Sequence, residues 1–582
     1  MRHVGAIPAP LGCSYRLLPW LGAAVLFALV LSVSTLRAQT TVYWDINGVA
    51  AGAGGATPSG TWNTAGAANW NAVAAGTGAV SNWVAGRSAV FSAGGDATGT
   101  YTITLGAPMS VANLTFEEGS AIITGSTLTF TGTAISVASG ATATINSVLA
   151  GTAALNKTGV GTLFLTGANT YSRATTISAG TLSINTIANV SGGNTALGAP
   201  NTKARGTIAI GATTTGATLA YTGTGSTSDR VIDLAGTTGG ATLDASGTGA
   251  LTLTSDFTAS GAGSKTLTLA GSSTAANTLS GAIVNNSAAN LTSLAKDGGG
   301  TWVLAGTTAN TYTGTTAVND GTLNLGKTAG VNAVGTGALT VGNSLGAASS
   351  ANLVLLASNQ IADTVAVTVN ADGRLALGTF TESIASIAGT GLIDLGTSGY
   401  LTVGANNSSS TFGGAITGAG TLEKAGTGTL TFNSTISFTG SLTLSGGTLA
   451  LNAVSLTVGT LHITGNTVLD FGNSTASTLN ATTFLVDAGV TLSIINWINA
   501  TDYFYAQNWT GATPDATGAI PMNQITFSGF SNSSTKWLSY DHQVTPVPEP
   551  AAYGACFAGL ALAWALARRR GRAGSRDPLV AA

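Results

Sequence analysis

One pattern is written three times in this chain, and it restricts the fold more than any other feature of the sequence. At 154–185 it reads ALNKTGVGTLFLTGANTYSRATTISAGTLSIN, at 294–326 LAKDGGGTWVLAGTTANTYTGTTAVNDGTLNLG, and at 422–452 LEKAGTGTLTFNSTISFTGSLTLSGGTLALN. Lys157, Lys296 and Lys424 each stand four residues before a Gly-Thr pair that begins at Gly161, Gly300 and Gly428. An aromatic follows at Tyr171, Tyr312 and Phe438, then Gly-Thr-Leu from Gly180, Gly321 and Gly447. Within the first copy Leu182 and Ile184 point one way and Thr181, Ser183 and Asn185 the other, the two-residue period of a half-buried strand. Three copies in register predict a stacked array in which each unit buries its apolar face on its neighbours.

These residues resemble the autotransporter-associated β-strand repeat of secreted bacterial surface proteins. The resemblance implies a right-handed parallel β-helix and names no ligand, since that repeat is structural. The fold class expected is therefore all-β, a right-handed parallel β-helix (solenoid) with capping ends, preceded by a signal peptide and followed by a single transmembrane helix.

Composition agrees. Charged residues make up 7% of the 582 positions, and 81 are Gly. Such a chain could also be disordered, but alternating Leu and Ile pairs recur throughout, and Thr, Val and Ile favour short strands over helix. Cys13 and Cys556 lie at opposite ends, so no disulfide staples the region between them. Between Gln39 and Pro550, 12 Lys and Arg face 21 Asp and Glu. That acidic balance excludes a nucleic-acid partner, which requires a basic face.

Arg2 and Arg16 precede the apolar run from Leu17 to Val33, and STLRA then leads to a cut between Ala38 and Gln39. Residues 1–38 read as a secretory signal peptide. Cys13 comes before the apolar run, which argues against lipoprotein attachment. In 39–110, Trp44, Trp62, Trp70 and Trp83 sit among Gly and Asn. They fit a cap over the first coil better than a sugar-stacking platform, and many proteins with the repeat open on a similar pattern. Residues 111–480 form the solenoid proper, with about 22 residues per coil and a rod of about 80 Å at the usual strand spacing. ANNSSSTFGG from Ala405 is the segment expected to loop out. Residues 481–540 bring aromatics back (Trp497, Tyr503, Phe504, Tyr505, Trp509, Trp537) and read as a second cap, with a ligand-binding patch as the weaker option.

The tail, 541–582, carries an address. Val547, Pro548, Glu549 and Pro550 precede the apolar stretch 551–567, and Arg568, Arg569, Arg570 and Arg572 follow it. This order resembles the PEP-CTERM sorting signal of Gram-negative bacteria, a label also borne by some ice-binding proteins, and it implies an exosortase-type membrane protease as partner. Seventeen residues in a helix reach about 25 Å, enough to cross the hydrocarbon core with snorkelling arginines. The positive-inside rule puts the arginines in the cytoplasm and the body outside, so the helix would insert transiently in the inner membrane. A permanent single-pass anchor is the alternative. A self-transporting autotransporter would need a C-terminal membrane barrel, which this tail does not resemble, so the secretion mode is not carried over from the repeat.

No catalytic set is legible. The three histidines are His3, His462 and His542, and no pair or metal-ligand spacing joins them. His462, between Leu461 and Ile463, should face outward. Glu117 and Glu118 are adjacent on a strand end and point to opposite faces. Asp229, Asp233, Asp244 and Asp256 lack the period of calcium-binding coils. No enzyme activity, cofactor or metal is expected. The function expected is that of a secreted, adhesin-like or structural envelope protein at the cell surface or in the extracellular matrix, with extracellular polysaccharide or other surface proteins as partners. The alternatives are a polysaccharide lyase or hydrolase on the same scaffold, and ice binding through outward Thr ladders.

Overall fold

A strand whose backbone N–H groups cannot be satisfied within its own turn must find carbonyls on the next turn. The computed structural model shows that solution repeated along the chain. It describes residues 40–212, 214–472, 476–509, 522–530, 535–538 and 540–546, with Leu562 and Trp564. Beyond Thr40 these belong to the unit spanning 41–582. That unit is an all-β parallel solenoid of about 18 turns with almost no helix.

Its longest ladder links twenty strands in one line, starting at Gly60–Trp62 and ending at Ile525–Phe527. The line is open: among the described residues each end strand is paired on one side. An eleven-stranded ladder from Thr41 to Ala259 forms a second face, with two antiparallel pairings at its start. Nine-stranded ladders take over in the later turns, one from Thr224–Ser228 to Ala415–Thr417 and one that opens at Thr381–Ile384. The ladders thus pass beyond 111 and 480 in both directions, and position 480 falls inside the strand Thr478–Val486.

Parallel register lines identical positions up in columns. One interior column runs Ala143, Leu163, Leu182, Leu219, Leu243, Leu269, all buried. Each fully buried Leu contributes about 1.5–3 kcal/mol, and no turn can bury its column alone. In the first turns the core is aromatic. Trp62 lies 4.8 Å from Trp70 and 4.7 Å from Trp83, ring centre to ring centre, and Phe91 stacks on Phe116 at 4.7 Å. Trp44, Trp62, Trp70 and Trp83 are all buried, so no ring face is open to a sugar.

The repeat lysines sit in the interior columns. Lys157 stands between Ile135 and Ile177, Lys296 between Leu269 and Val318, and Lys424 between Val403 and Leu444. Each is buried, and each ammonium donates to three carbonyls at the corner. Lys157 Nζ bonds Thr158, Gly159 and Ala179 (3.0, 2.7 and 3.1 Å), and Lys424 Nζ bonds Ala425, Gly426 and Gly446 (2.7, 3.1 and 3.2 Å). Lys296 Nζ bonds Asp297, Gly298 and Asp320 (3.2, 2.5 and 2.9 Å). Burial pushes the amines of Lys157 and Lys296 down to about 8, which leaves them charged at neutral pH. The third carbonyl always precedes the Gly of Gly-Thr-Leu. Gly180, Gly321 and Gly447 have φ of 67°, 67° and 68°, and a Cβ on Gly321 or Gly447 would lie 2.7 Å from the lysine Nζ. Lysine and glycine in the repeat are therefore one device.

Three departures from the sequence reading have local causes. A short helix, Lys203–Gly206, interrupts the all-strand rule inside the long step from Gly180 to Ala217. Arg230, buried, ties that excursion down by donating to the carbonyls of Ala188, Leu197 and Gly198. Ser410–Phe412, inside the segment expected to loop out, is a ladder strand because Phe412 enters the core. Gln543–Pro546, assigned by sequence to the tail, is a strand paired antiparallel with Thr535–Leu538, because Val544 is buried.

Among the described residues no helix is long and apolar enough to cross a membrane. Residues 1–38, Gln39, the motif Val547, Pro548, Glu549 and Pro550, the helix at 551–567 apart from Leu562 and Trp564, and the arginines 568–572 lie outside the described residues.

Two predictions follow the buried charges. Lys296→Met leaves three corner carbonyls without their donor, at about 3 kcal/mol. Hydrogen exchange should therefore quicken across 294–326 while the turns beyond 400 keep their protection. Lys296→Arg should not rescue it, since a planar guanidinium does not fit a three-carbonyl nest. Glu382, also buried, accepts N–H bonds from Gln360, Ile361 and Ser383, yet burial lifts its carboxyl to about 7. Its folded pKa is above the unfolded value, so its contribution is complete below about 4.5 and is lost as pH rises through about 7. Protection of 360–384 should fall across that window in the wild type and stay level in Glu382→Gln.

Candidate functional site

The face with the richest side-chain chemistry is the outer surface of the last nine-stranded ladder. Its strands Ile436–Leu444 and Ser455–Ile463 each have nine residues, long for this solenoid. A one-residue bulge between Phe438 and Ser441 bends the sheet. Gly440 and Gly459 allow the bend, and the short side chains around it leave a hollow on the outside. Ser437, Thr439, Thr457, Thr460 and Thr482 line a cleft of about 460 Å³ there. Thr460 also borders a second cleft of about 490 Å³, beside Tyr400, Glu423, Thr443 and His462.

Register explains who meets whom. Ser383, Thr402, Glu423, Thr443, His462 and Leu485 form one outward column. Ser437, Thr457, Asn480 and Tyr505 form another. Glu423 accepts from the Tyr400 hydroxyl (2.8 Å), Thr402 Oγ1 (3.1 Å) and Ser445 Oγ (2.6 Å). Burial, then the Glu423 hydrogen bond and charge, push the Tyr400 phenol up to about 12. His462 faces outward as its neighbours imply, and its Nε2 meets Asp487 Oδ1 at 2.9 Å. The second column ends at a pair of aromatic rings: Tyr503 and Tyr505 stack at 5.7 Å with planes 4° apart. Phe504 between them is buried in the core. A third cleft of about 540 Å³ begins at Tyr503 and includes Trp497, Lys536, Tyr540 and Gln543.

Glu423 and Asp487 are three strand steps apart, about 14 Å. A glycosidase pair stands at roughly 5–9.5 Å, so these two do not form one. Among the described residues no group of three or more His, Cys, Asp or Glu side chains could hold a metal ion. Glu118, away from its neighbour Glu117, accepts from Ser92 Oγ and the Ala97 N–H and fastens a turn. Outward threonines do align elsewhere, in the column Thr100, Ser120, Thr142, Thr162, Thr181, Thr218, Thr242, Thr268. The column beside it carries Ile122, Phe164, Ala220 and Asp244, so the array is one residue wide.

The sequence singled out His462, Tyr503 and Tyr505, the tyrosines as parts of a cap. It missed Tyr400, Glu423 and Asp487, which only the turn-to-turn register brings to the same face. The signal-peptide junction Ala38–Gln39 and the sorting motif lie outside the described residues.

Comparison with known proteins finds the repeat directly. The model of the family described as Passenger-associated-transport-repeat matches residues 155–184, 294–325 and 422–451. An autotransporter adhesin, BmaC of Brucella suis biovar 1 (strain 1330), is 44% identical over 179 residues, covering 29% of this chain and 5% of that protein. The chain thus spans a small fraction of the length of the curated relative it matches. No solved structure matches.

The Tyr400–Glu423 contact gives a direct test. Glu423→Gln removes the charge and should bring the Tyr400 phenol down from about 12, though still above 10 because burial remains. A carbon-detected NMR titration of labelled tyrosine would read it.

Proposed function

We propose that this chain is a secreted, non-enzymatic, adhesin-like protein of the bacterial cell envelope or extracellular matrix. The observation that carries the reading is the solenoid itself, a long stack of turns with a polar, weakly charged outer surface. The likeness to part of an autotransporter adhesin supports it. On this reading the tryptophan cluster of 39–110 and the aromatic segment of 481–540 close the two ends of the apolar core, which a stack of repeats requires for solubility. Extracellular polysaccharide or other surface proteins are its partners, and nucleic acid is not.

Export begins with the signal peptide, cut between Ala38 and Gln39. The helix at 551–567 then holds a precursor in the inner membrane of a Gram-negative cell, with Arg568, Arg569, Arg570 and Arg572 on the cytoplasmic side. An exosortase-type protease reads Val547, Pro548, Glu549 and Pro550 and releases the body. The last described strand ends at Pro546, immediately before that motif. Cleavage there would remove none of the described ladder strands.

Mass spectrometry of protein recovered from the cell surface should find both 1–38 and the residues beyond about 550 gone. Glu549→Ala, or replacement of Arg568, Arg569 and Arg570, should leave folded precursor in the inner membrane. If both variants reach the surface at the wild-type mass, the tail is not an address.

A further inference from the structure

We infer that the outer groove of the last ladder, from Tyr400 to the Tyr503–Tyr505 pair, is a binding site for a linear neutral polysaccharide. This rests on the surface-protein reading for its setting, but the site stands on its own geometry. The clefts beside His462 and beside Phe438 share Thr460, so they adjoin each other across the strands. The column Ser437, Thr457, Asn480, Tyr505 leads from the Phe438 cleft to the aromatic pair.

The chemistry of the groove selects its occupant. Its carboxylates are already engaged, Glu423 by three hydroxyls, Asp487 by His462, and Asp541, beside Tyr505, by the Gln543 N–H. What remains for a ligand is hydroxyl and amide groups at regular intervals, with two parallel, mutually stacked tyrosine rings at one end. A polyhydroxylated chain without charge uses both: its hydroxyls replace water on Thr and Asn, and the apolar face of a sugar ring lies on tyrosine. An anionic glycan would meet Glu423, then Asp487 beside His462 and Asp541 beside Tyr505, with Lys536 as a nearby cation, an unfavourable balance. A peptide fares worse. The sheet is paired on both sides of these strands, so no edge is free for strand addition, and Leu485 is the sole aliphatic side chain on the floor of the His462 cleft.

Spacing agrees as well. Six strands from Tyr400–Val403 to Tyr503–Trp509 contribute to the groove, five steps or about 24 Å. A linear hexose chain repeats on nearly the same interval as the strands, so about six sugar units would follow the solenoid axis, one to a turn.

The test uses the full chain, purified with its tail, and four probes: cellohexaose, laminarihexaose, mannohexaose and hexagalacturonate. Binding is followed by tyrosine and tryptophan fluorescence and by calorimetry. At least one neutral hexamer should bind, and more tightly than hexagalacturonate. The double variant Tyr503→Ala with Tyr505→Ala should lose at least tenfold in affinity, and Thr460→Trp, which fills the hollow, should lose as much without touching the tyrosines. Circular dichroism and hydrogen exchange of 294–326 check that each variant stays folded. Failure of all three neutral hexamers to bind, preference for the galacturonate, or binding unchanged in both variants would overturn the inference. None of these outcomes bears on where the protein resides. Loss of surface display with groove binding intact would sink the envelope reading alone.

Discussion

Between turns, the backbone has one partner available, the neighbouring turn. In the longest ladder every described strand between the two ends is paired in parallel above and below, so the hydrogen bonds that satisfy one turn fix the register of the next. That register aligns the columns, and aligned columns make a core from strands only two to nine residues long. Stability accumulates by neighbours rather than around a centre. Loss of one interior side chain is therefore expected to loosen its own turn and those beside it, not the whole stack.

The ladders leave the corners unsolved. Where the chain turns, carbonyls point inward with no strand opposite them, and an apolar core cannot satisfy them. The three repeat lysines answer this with an ammonium, which donates three bonds from one point and reaches across two turns. Lys265 and Lys327 do related work outside the repeat, buried and bonded to carbonyls of Ala262 and Ala305. At Lys157 and Lys424 a buried cation with no carboxylate beside it looks costly, but three carbonyl dipoles at hydrogen-bond distance offset its loss of water. The corner glycine completes the arrangement, because a Cβ at Gly321 or Gly447 would press on the same Nζ.

Much of the solenoid was legible in the sequence, and the limits of that legibility are physical. Leu182 and Ile184 announce an inward face by alternation, and both are buried. Phe504, flanked by Tyr503 and Tyr505, obeys the same rule, so the outward tyrosines could have been read as a surface feature. Glu423 and Tyr400 could not have been joined: they are 23 positions apart, and their contact depends on which residue of one turn lies over which residue of the next. That register is set by loop lengths, which alternation does not encode. The burial of the repeat lysines was equally hidden, since a Lys within a polar turn ordinarily faces water.

The third copy shows how the repeat and the groove are connected. In the first two copies Asn169 and Asn310 bridge turns: each side-chain oxygen accepts a backbone N–H at 2.8 Å, from Leu149 and Ile283 respectively. Tyr171 and Tyr312 then bond Thr175 and Thr316 at 2.9 and 2.7 Å. These polar anchors hold an irregular corner that no strand occupies. In the third copy the same positions are Ile436, Phe438 and Leu442, all buried and all apolar. Without the amide there is nothing to hold the corner open, and the segment closes into the nine-residue strand Ile436–Leu444. That strand and the next carry the bulge and the glycines that hollow the outer face. The substitutions that make this copy look worn in sequence are mutually consistent, polar anchor for apolar contact at all three places. Where the first two copies have an irregular corner, the third has an extended, bent sheet with a groove on its outer side.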